Sequence, residues 1–96
     1  MSTPQNISIF GLGYVGCVSL GCLAEMGHTV VGVDVNAEKV EQINAGKPTI
    51  IEDKIDDLIG AHHATGHIRA TQDAAEAVAA TDISIVCVGT PSTPEG

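Results

Sequence analysis

Three glycines near the start of the chain constrain its fold more than any other feature. Ile7-Ser8-Ile9-Phe10 is a short apolar run that ends in Gly11-Leu12-Gly13-Tyr14-Val15-Gly16, and a stretch of helical periodicity comes next. A strand that turns through G-x-G-x-x-G into a helix is the context in which that pattern has a physical meaning. Gly11 permits the tight turn. Gly13 has no Cβ, so a pyrophosphate can come close to the backbone. Gly16 lets the helix lie against the strand. The start of the helix then offers unpaired N–H groups and positive potential to phosphate oxygens. The competing reading is a glycine turn in an α/β protein that binds nothing.

The rest of the chain alternates between strand and helix signals. From Tyr14 to Met26, the residues Val15, Val18, Cys22, Leu23 and Met26 recur at helical spacing, and Gly27 stops the helix. Gly21 weakens that helix unless it lies close to its sheet. Thr29-Val30-Val31-Gly32-Val33-Asp34 reads as a strand buried on both faces. Asn36 is a fitting N-cap for a helix to about Ala45, with Val40 and Ile43 inward and Gly46 and Pro48 closing it. Ile55, Leu58 and Ile59 predict another short helix, with Asp53, Asp56 and Asp57 around its start, where the helix dipole favours anions. Ile68 to Ala70 predicts a brief edge strand. Asp73 caps an alanine-rich helix from Ala74 to Ala80. Ile83 to Val88 is the last strand, broken by Gly89-Thr90-Pro91. This order predicts an α/β fold: a Rossmann-type parallel sheet with helices on both faces and strand order 3-2-1-4. Residues 1–96 then form a partial domain, the first half alone, stopping before strands 5 and 6.

Asp34, at the end of the second strand, stands where a carboxylate can accept hydrogen bonds from the adenosine ribose hydroxyls. It would repel a 2′-phosphate, which favours NAD over NADP. The plainer reading of Asp34 is a strand-end residue that caps the next helix.

The net charge is −8, with only four Lys and Arg residues. No basic stripe exists, which argues against nucleic acid and an anionic membrane surface as partners. Aromatic residues make up 2% of the chain, so the core must be built from Val, Ile, Leu and Ala. Cys17, Cys22 and Cys87 sit in apolar runs and read as small buried residues; a catalytic thiolate would need a nearby base, and the sequence offers no clear one. Met1 to Asn6 lacks the pattern of a signal peptide, no apolar run reaches membrane-spanning length, and the cysteines are odd in number, so the expected compartment is the cytoplasm. His62, His63 and His67 follow no metal-ligand spacing and read as solvated loop or helix residues. The carboxylates between Glu52 and Asp57 are better explained as a solvated helix start than as an acid/base pair.

Taken together, these stretches resemble the UDP-glucose/GDP-mannose dehydrogenase family. The likeness is carried by Ile9-Phe10-Gly11-Leu12-Gly13-Tyr14-Val15-Gly16, by Gly27-His28 followed by Val30 to Asp34, by Ile43-Asn44-Ala45-Gly46-Lys47 and by Cys87-Val88-Gly89-Thr90-Pro91-Ser92. The resemblance implies NAD as cofactor. It implies that Tyr14 and Val15 contact NAD at the phosphate turn, that Asp34 and Lys39 hold the adenosine end, and that Thr90 sits near the nicotinamide side. With Gly11, Gly13 and Gly16 these form the expected cofactor site; no catalytic and no metal-binding residue is assigned. The family usually has Pro-Gly where this chain has Asp53-Lys54.

The resemblance also implies a parent enzyme of polysaccharide biosynthesis that oxidises the C6 alcohol of a nucleotide sugar to the uronic acid. Its essential Cys, Lys and Glu, and its sugar-nucleotide partner, belong to sequence beyond residue 96. The chain alone is expected to be inactive. A different reading is a stand-alone half-domain that binds nucleotide or assembles without catalysis. A rival enzyme family, the β-hydroxyacid dehydrogenases, usually has Met at the position of Val15 and lacks the Gly-Thr-Pro-Ser turn. The strand from Ile83 to Val88 is apolar and without Lys or Pro, yet lies at a sheet edge, which predicts a homo-oligomer joined through it.

Overall fold

The computed structural model describes residues 4–48 and 53–87. Strand β1 (Asn6–Phe10) leads into helix α1 (Tyr14–Glu25), strand β2 (Thr29–Val33) and helix α2 (Ala37–Asn44). Helix α3 (Asp53–Ala64), strand β3 (Ile68–Thr71), helix α4 (Ala74–Ala80) and strand β4 (Ile83–Val86) complete the order. All strand pairs are parallel, and the four-stranded sheet runs β3-β2-β1-β4, as the alternation predicted. Val88, Thr90 and the break at Gly89-Thr90-Pro91 lie outside the described residues, as does Glu52.

Helices cover both faces of the sheet. On one face, Ile7, Ile9, Val30 and Ile68 pack with Leu20 and Ala24 of α1, Val40 and Ile43 of α2, and Ile55 and Ile59 of α3. On the other, Val31 and Val33 pack with Ala77 of α4 and with Phe10. β2 is therefore apolar on both sides, which explains its β-branched character, while β1 is apolar on the α1 face and sets Ser8 beside Phe10 on the other. Register follows from this burial: Ile7 lies opposite Val30 and Ile83, and Ile9 opposite Gly32 and Ile85. Buried Ser8 pins β4 as well, with its Oγ 2.8 Å from the Ser84 hydroxyl.

Helix boundaries follow local chemistry. The Asn36 side chain accepts from the Glu38 and Lys39 amides, and Asp73 accepts from Glu76, so both expected N-caps are formed. α1 ends in a Schellman turn, in which Gly27 N–H donates to Ala24 O at 3.0 Å and His28 N–H donates to Leu23 O at 3.1 Å. Gly27 takes φ +100° there, a conformation that costs a side-chain-bearing residue about 1–2 kcal/mol. α2 and α3 end in the same way, at Gly46 and Gly66.

Several expectations require correction. α3 is a twelve-residue helix rather than a short one, because the turn at Gly66 and not the acidic start sets its end. The stripe through Val15, Val18, Cys22 and Met26 signals α1 but is not its buried face; Gly16, Cys17, Leu20, Gly21 and Ala24 are. α1 is apolar all round, so periodicity alone cannot choose the face, and the small residues win because they allow close approach. Cys22 is accordingly exposed and Cys87 half-buried, while Cys17 is buried as expected. Gly21 faces α3 rather than the sheet: a Cβ there would lie 3.4 Å from Leu58 Cβ. His62, His63 and His67 are half-buried rather than freely solvated. His62 Nε2 pairs with Glu25 at 2.7 Å, tying α3 to α1, and His67 Nδ1 lies 2.8 Å from the Thr65 hydroxyl. Among the described residues, no group of His, Cys, Asp or Glu could hold a metal ion.

At Ala70 a side chain takes the place of a neighbouring strand on the margin of β3. The Asn44 amide donates to Ala70 O at 2.9 Å, and its Oδ1 accepts from Ala70 N–H at 2.8 Å. One side chain thus imitates a strand neighbour. At the opposite margin, Ile83 and Val86 of β4 are 44% and 70% exposed.

Candidate functional site

The site forms where β1 and β2 end. Gly11 takes φ +106°, which turns the chain out of the sheet, while its N–H still donates to Val33 O at 2.8 Å. The Leu12 side chain drops into the core and fills the space left by Gly32, where a Cβ would come within 2.6 Å of Leu12 Cδ2. Gly13 is the N-cap of α1 and carries no side-chain cap, and the first turn holds no acidic residue. A Cβ on Gly16 would lie 1.7 Å from Gly11 O, so only glycine lets α1 begin this close to the turn. A Cβ on Gly13 would meet nothing within 4 Å. The space above Gly13 is therefore open, and the first amides of α1 have no competing carboxylate. This arrangement suits a phosphate anion.

Asp34 sits across the turn. Its Oδ2 accepts from Leu12 N–H at 2.8 Å and its Oδ1 from Asn36 N–H at 2.9 Å. Burial alone would push this carboxyl up. The hydrogen bonds from Leu12 and Asn36, the Lys39 charge and the Val35 amide outweigh that effect and hold it below its ordinary value. A carboxylate offers about four lone-pair positions, so capacity remains for further hydroxyl donors. The sequence located Asp34 but not its contact with Leu12, by which the same carboxylate shapes the glycine turn.

The other expected residues divide. Tyr14 and Val15 are exposed at the start of α1, 63% and 61%, and line the approach to the turn without packing into the core. Lys39 is half-buried in the first turn of α2, with its charge acting on Asp34. Thr90 lies outside the described residues. A cavity of about 200 Å³ that sequence reasoning missed lies beside Asp34, lined by Phe10, Gly11, Val33, Asp34, Val35, Gln72 and Ala74. Its walls are mostly apolar, and it brings together residues from the ends of three strands and the start of α4. Gln72 and Ala74 carry no sequence signature that links them to Gly11.

The family model for the NAD binding domain of the UDP-glucose/GDP-mannose dehydrogenase family matches residues 5–96. GDP-mannose 6-dehydrogenase of Pseudomonas syringae pv. tomato is 54% identical over 92 residues, which cover 96% of this chain and 21% of the relative. UDP-glucose 6-dehydrogenase of Rhizobium meliloti is 42% identical, over 92% of this chain and 20% of the relative. Among solved structures, GDP-mannose dehydrogenase from Pseudomonas aeruginosa superposes with a TM-score of 0.88 at 49% identity, over 94% of this chain and 21% of that one. The chain thus spans about a fifth of the length of these relatives. No helix among the described residues is long and apolar enough to cross a membrane. The matched residues, the strand order and the glycine turn agree: this chain belongs to the UDP-glucose/GDP-mannose dehydrogenase family, as its NAD binding domain.

Proposed function

We propose that this chain is the front half of the NAD-binding domain of a sugar-nucleotide 6-dehydrogenase, with GDP-mannose the sugar nucleotide favoured by its relatives. The observation that carries the reading is the Asp34 carboxylate, fixed by Leu12 N–H and Asn36 N–H at the mouth of an uncapped helix. When bound, NAD supplies the hydride acceptor for oxidation of an alcohol. The work of this chain is to bind and orient. Gly11, Gly13 and Gly16 make room for the pyrophosphate, and the first amides of α1, at Tyr14 and Val15, bind its oxygens. Asp34 accepts from the ribose hydroxyls, and Lys39, whose charge acts on Asp34, helps hold the adenosine end. The adenine base, joined to that ribose, lies in the adjoining apolar cavity. Thr90 serves the nicotinamide end, and the catalytic residues come from sequence beyond residue 96. The free thiols of Cys17, Cys22 and Cys87 fit a reducing compartment such as the cytoplasm.

Titration calorimetry with NAD and NADP tests the site. The chain should bind NAD more tightly, because a 2′-phosphate would meet the Asp34 carboxylate. Asp34→Asn should narrow the difference. NADP bound as tightly as NAD by the wild-type chain would sink the assignment.

The exposed margin of β4 supports a second element of the reading. Ile83 and Val86 show apolar surface at the sheet margin, and in the isolated chain a second copy covers it, strand to strand.

A further inference from the structure

We infer that Gly32 is a positioning residue for the dinucleotide: the absence of a side chain there seats Leu12, and Leu12 in its seat holds the glycine turn and the Asp34 carboxylate at a fixed spacing. The inference rests on the NAD reading above and concerns a residue outside the glycine turn and Asp34, which acts only through its neighbours.

Gly32 lies inside β2, where a glycine weakens the strand and brings no side chain to pack. Its backbone conformation does not call for glycine: among the described residues, the glycines with positive φ are Gly11, Gly27, Gly46 and Gly66. What calls for it is space. By strand alternation Gly32 shares the α1 face of the sheet with Val30, in a row between Ala70 of β3 and Ile9 of β1. A Cβ at this point would stand 2.6 Å from Leu12 Cδ2 and 3.3 Å from Leu12 Cδ1. Leu12 is fully buried, so these methyl groups cannot swing aside without displacing the core around them.

The residue that needs this space also carries the link to Asp34. Leu12 N–H donates to Asp34 Oδ2 at 2.8 Å, one step along the chain from the bond between Gly11 N–H and Val33 O at 2.8 Å. The phosphate turn is therefore tied to the end of β2 by two successive bonds. The first belongs to the backbone ladder. The second depends on how deeply Leu12 sits, because its side chain and its N–H move together. A methyl group at position 32 lifts Leu12 from its seat and stretches the bond to Asp34. The helix start and the carboxylate both survive, but their spacing does not. A dinucleotide that must meet both at once then loses affinity.

A size-compensation cycle in the 96-residue chain tests this. Gly32→Ala should bind NAD about tenfold more weakly than wild type, the size of one hydrogen bond to a charged group. Leu12→Val removes both δ carbons and leaves Cγ, at 3.5 Å, as an ordinary contact with the added methyl group. Gly32→Ala combined with Leu12→Val should therefore recover affinity to within about threefold of wild type, a non-additive result. A second readout needs no nucleotide: the Leu12 amide proton, shifted downfield by the carboxylate, should move upfield in Gly32→Ala and return in the pair. Ile59→Val, a core change in α3, gives the baseline and should lower stability without weakening NAD binding. The inference is overturned if Gly32→Ala binds NAD as wild type does, if the pair binds no better than Gly32→Ala, or if Ile59→Val weakens binding equally; in each case the NAD reading stands. Should circular dichroism show Gly32→Ala unfolded, a folded pair with recovered affinity supports the inference and an unfolded pair overturns it. A wild-type chain that does not bind NAD overturns both readings.

Discussion

Replacing Gly16 with alanine sets one methyl group against backbone. The added Cβ would lie 1.7 Å from Gly11 O and 2.9 Å from Gly11 C, where real Cβ contacts essentially never fall below 3.0 Å. Relief needs a movement of more than an ångström, and no flexible side chain is available to make it. Either α1 lifts off β1, opening the packing of Cys17 and Leu20, or the Gly11 turn distorts and strains its bond to Val33 O. Overpacking of this kind costs about 1–3 kcal/mol, and a backbone obstacle belongs at the upper end. For a chain of this size each kcal/mol lowers Tm by about 4–8 °C, so a loss of roughly 10 °C or more is expected. Gly13→Ala is the matching control. Its Cβ meets nothing within 4 Å, and φ at Gly13 is −80°, so stability should change by less than about 1 kcal/mol. That methyl group would nonetheless occupy the open space above the helix start, and NAD affinity should fall. Urea melts followed by circular dichroism, with NAD titrations on both variants, separate the two effects. Gly16→Ala within about 0.5 kcal/mol of wild type would refute the close-approach argument.

Asp34 is held below its ordinary value of 3.8, so its contribution to stability is present above that value and is lost as pH falls through and below it; acid-titrated melts should show this component disappear in Asp34→Asn. Asn44→Ala frees both backbone groups of Ala70 and should cost about 1–3 kcal/mol by denaturant melts, an effect that a shortened side chain on an ordinary exposed helix end would not produce. Light scattering over a dilution series should show association of the isolated chain that Val86→Lys abolishes; Val86 suits this better than Ile85, which packs against the core, and a monomer at high concentration would refute it.

What the sequence reveals and what it hides have a common cause. Local signals are legible: the short apolar run of β1 and the β-branched run of β2, the caps at Asn36 and Asp73, the glycine turn, and from their alternation the strand order β3-β2-β1-β4. Features set by residues far apart in the chain are not. α1 is apolar on every side, so its buried face emerges only once α3 takes a place against Gly21. Asp34 is legible as a partner for ribose but not as the acceptor for Leu12 N–H, twenty-two residues away. The hydrogen bond from the Gln72 side chain to Val35 O spans thirty-seven residues and rests on a loop residue that no periodicity marks. Cys22 and Cys87 depart from the burial expected of them because an apolar neighbourhood in sequence does not fix which side of an element meets solvent.

Asn44 bears on where a further strand could add to this sheet. Val30 N–H donates to His67 O and Asp34 N–H to Thr71 O, so these residues of β3 face inward and Ala70 faces out. Asn44 occupies both groups of Ala70, one of the two outward positions of β3, so a strand adding on that side would have to displace it. A strand adding at β4 would meet no such side chain from Asn44. Two chains meeting at β4 about a two-fold axis would bury both of those margins at once. Such a pair would have only its Asn44-obstructed margins left for growth, whereas a sheet open on both sides could polymerise without limit.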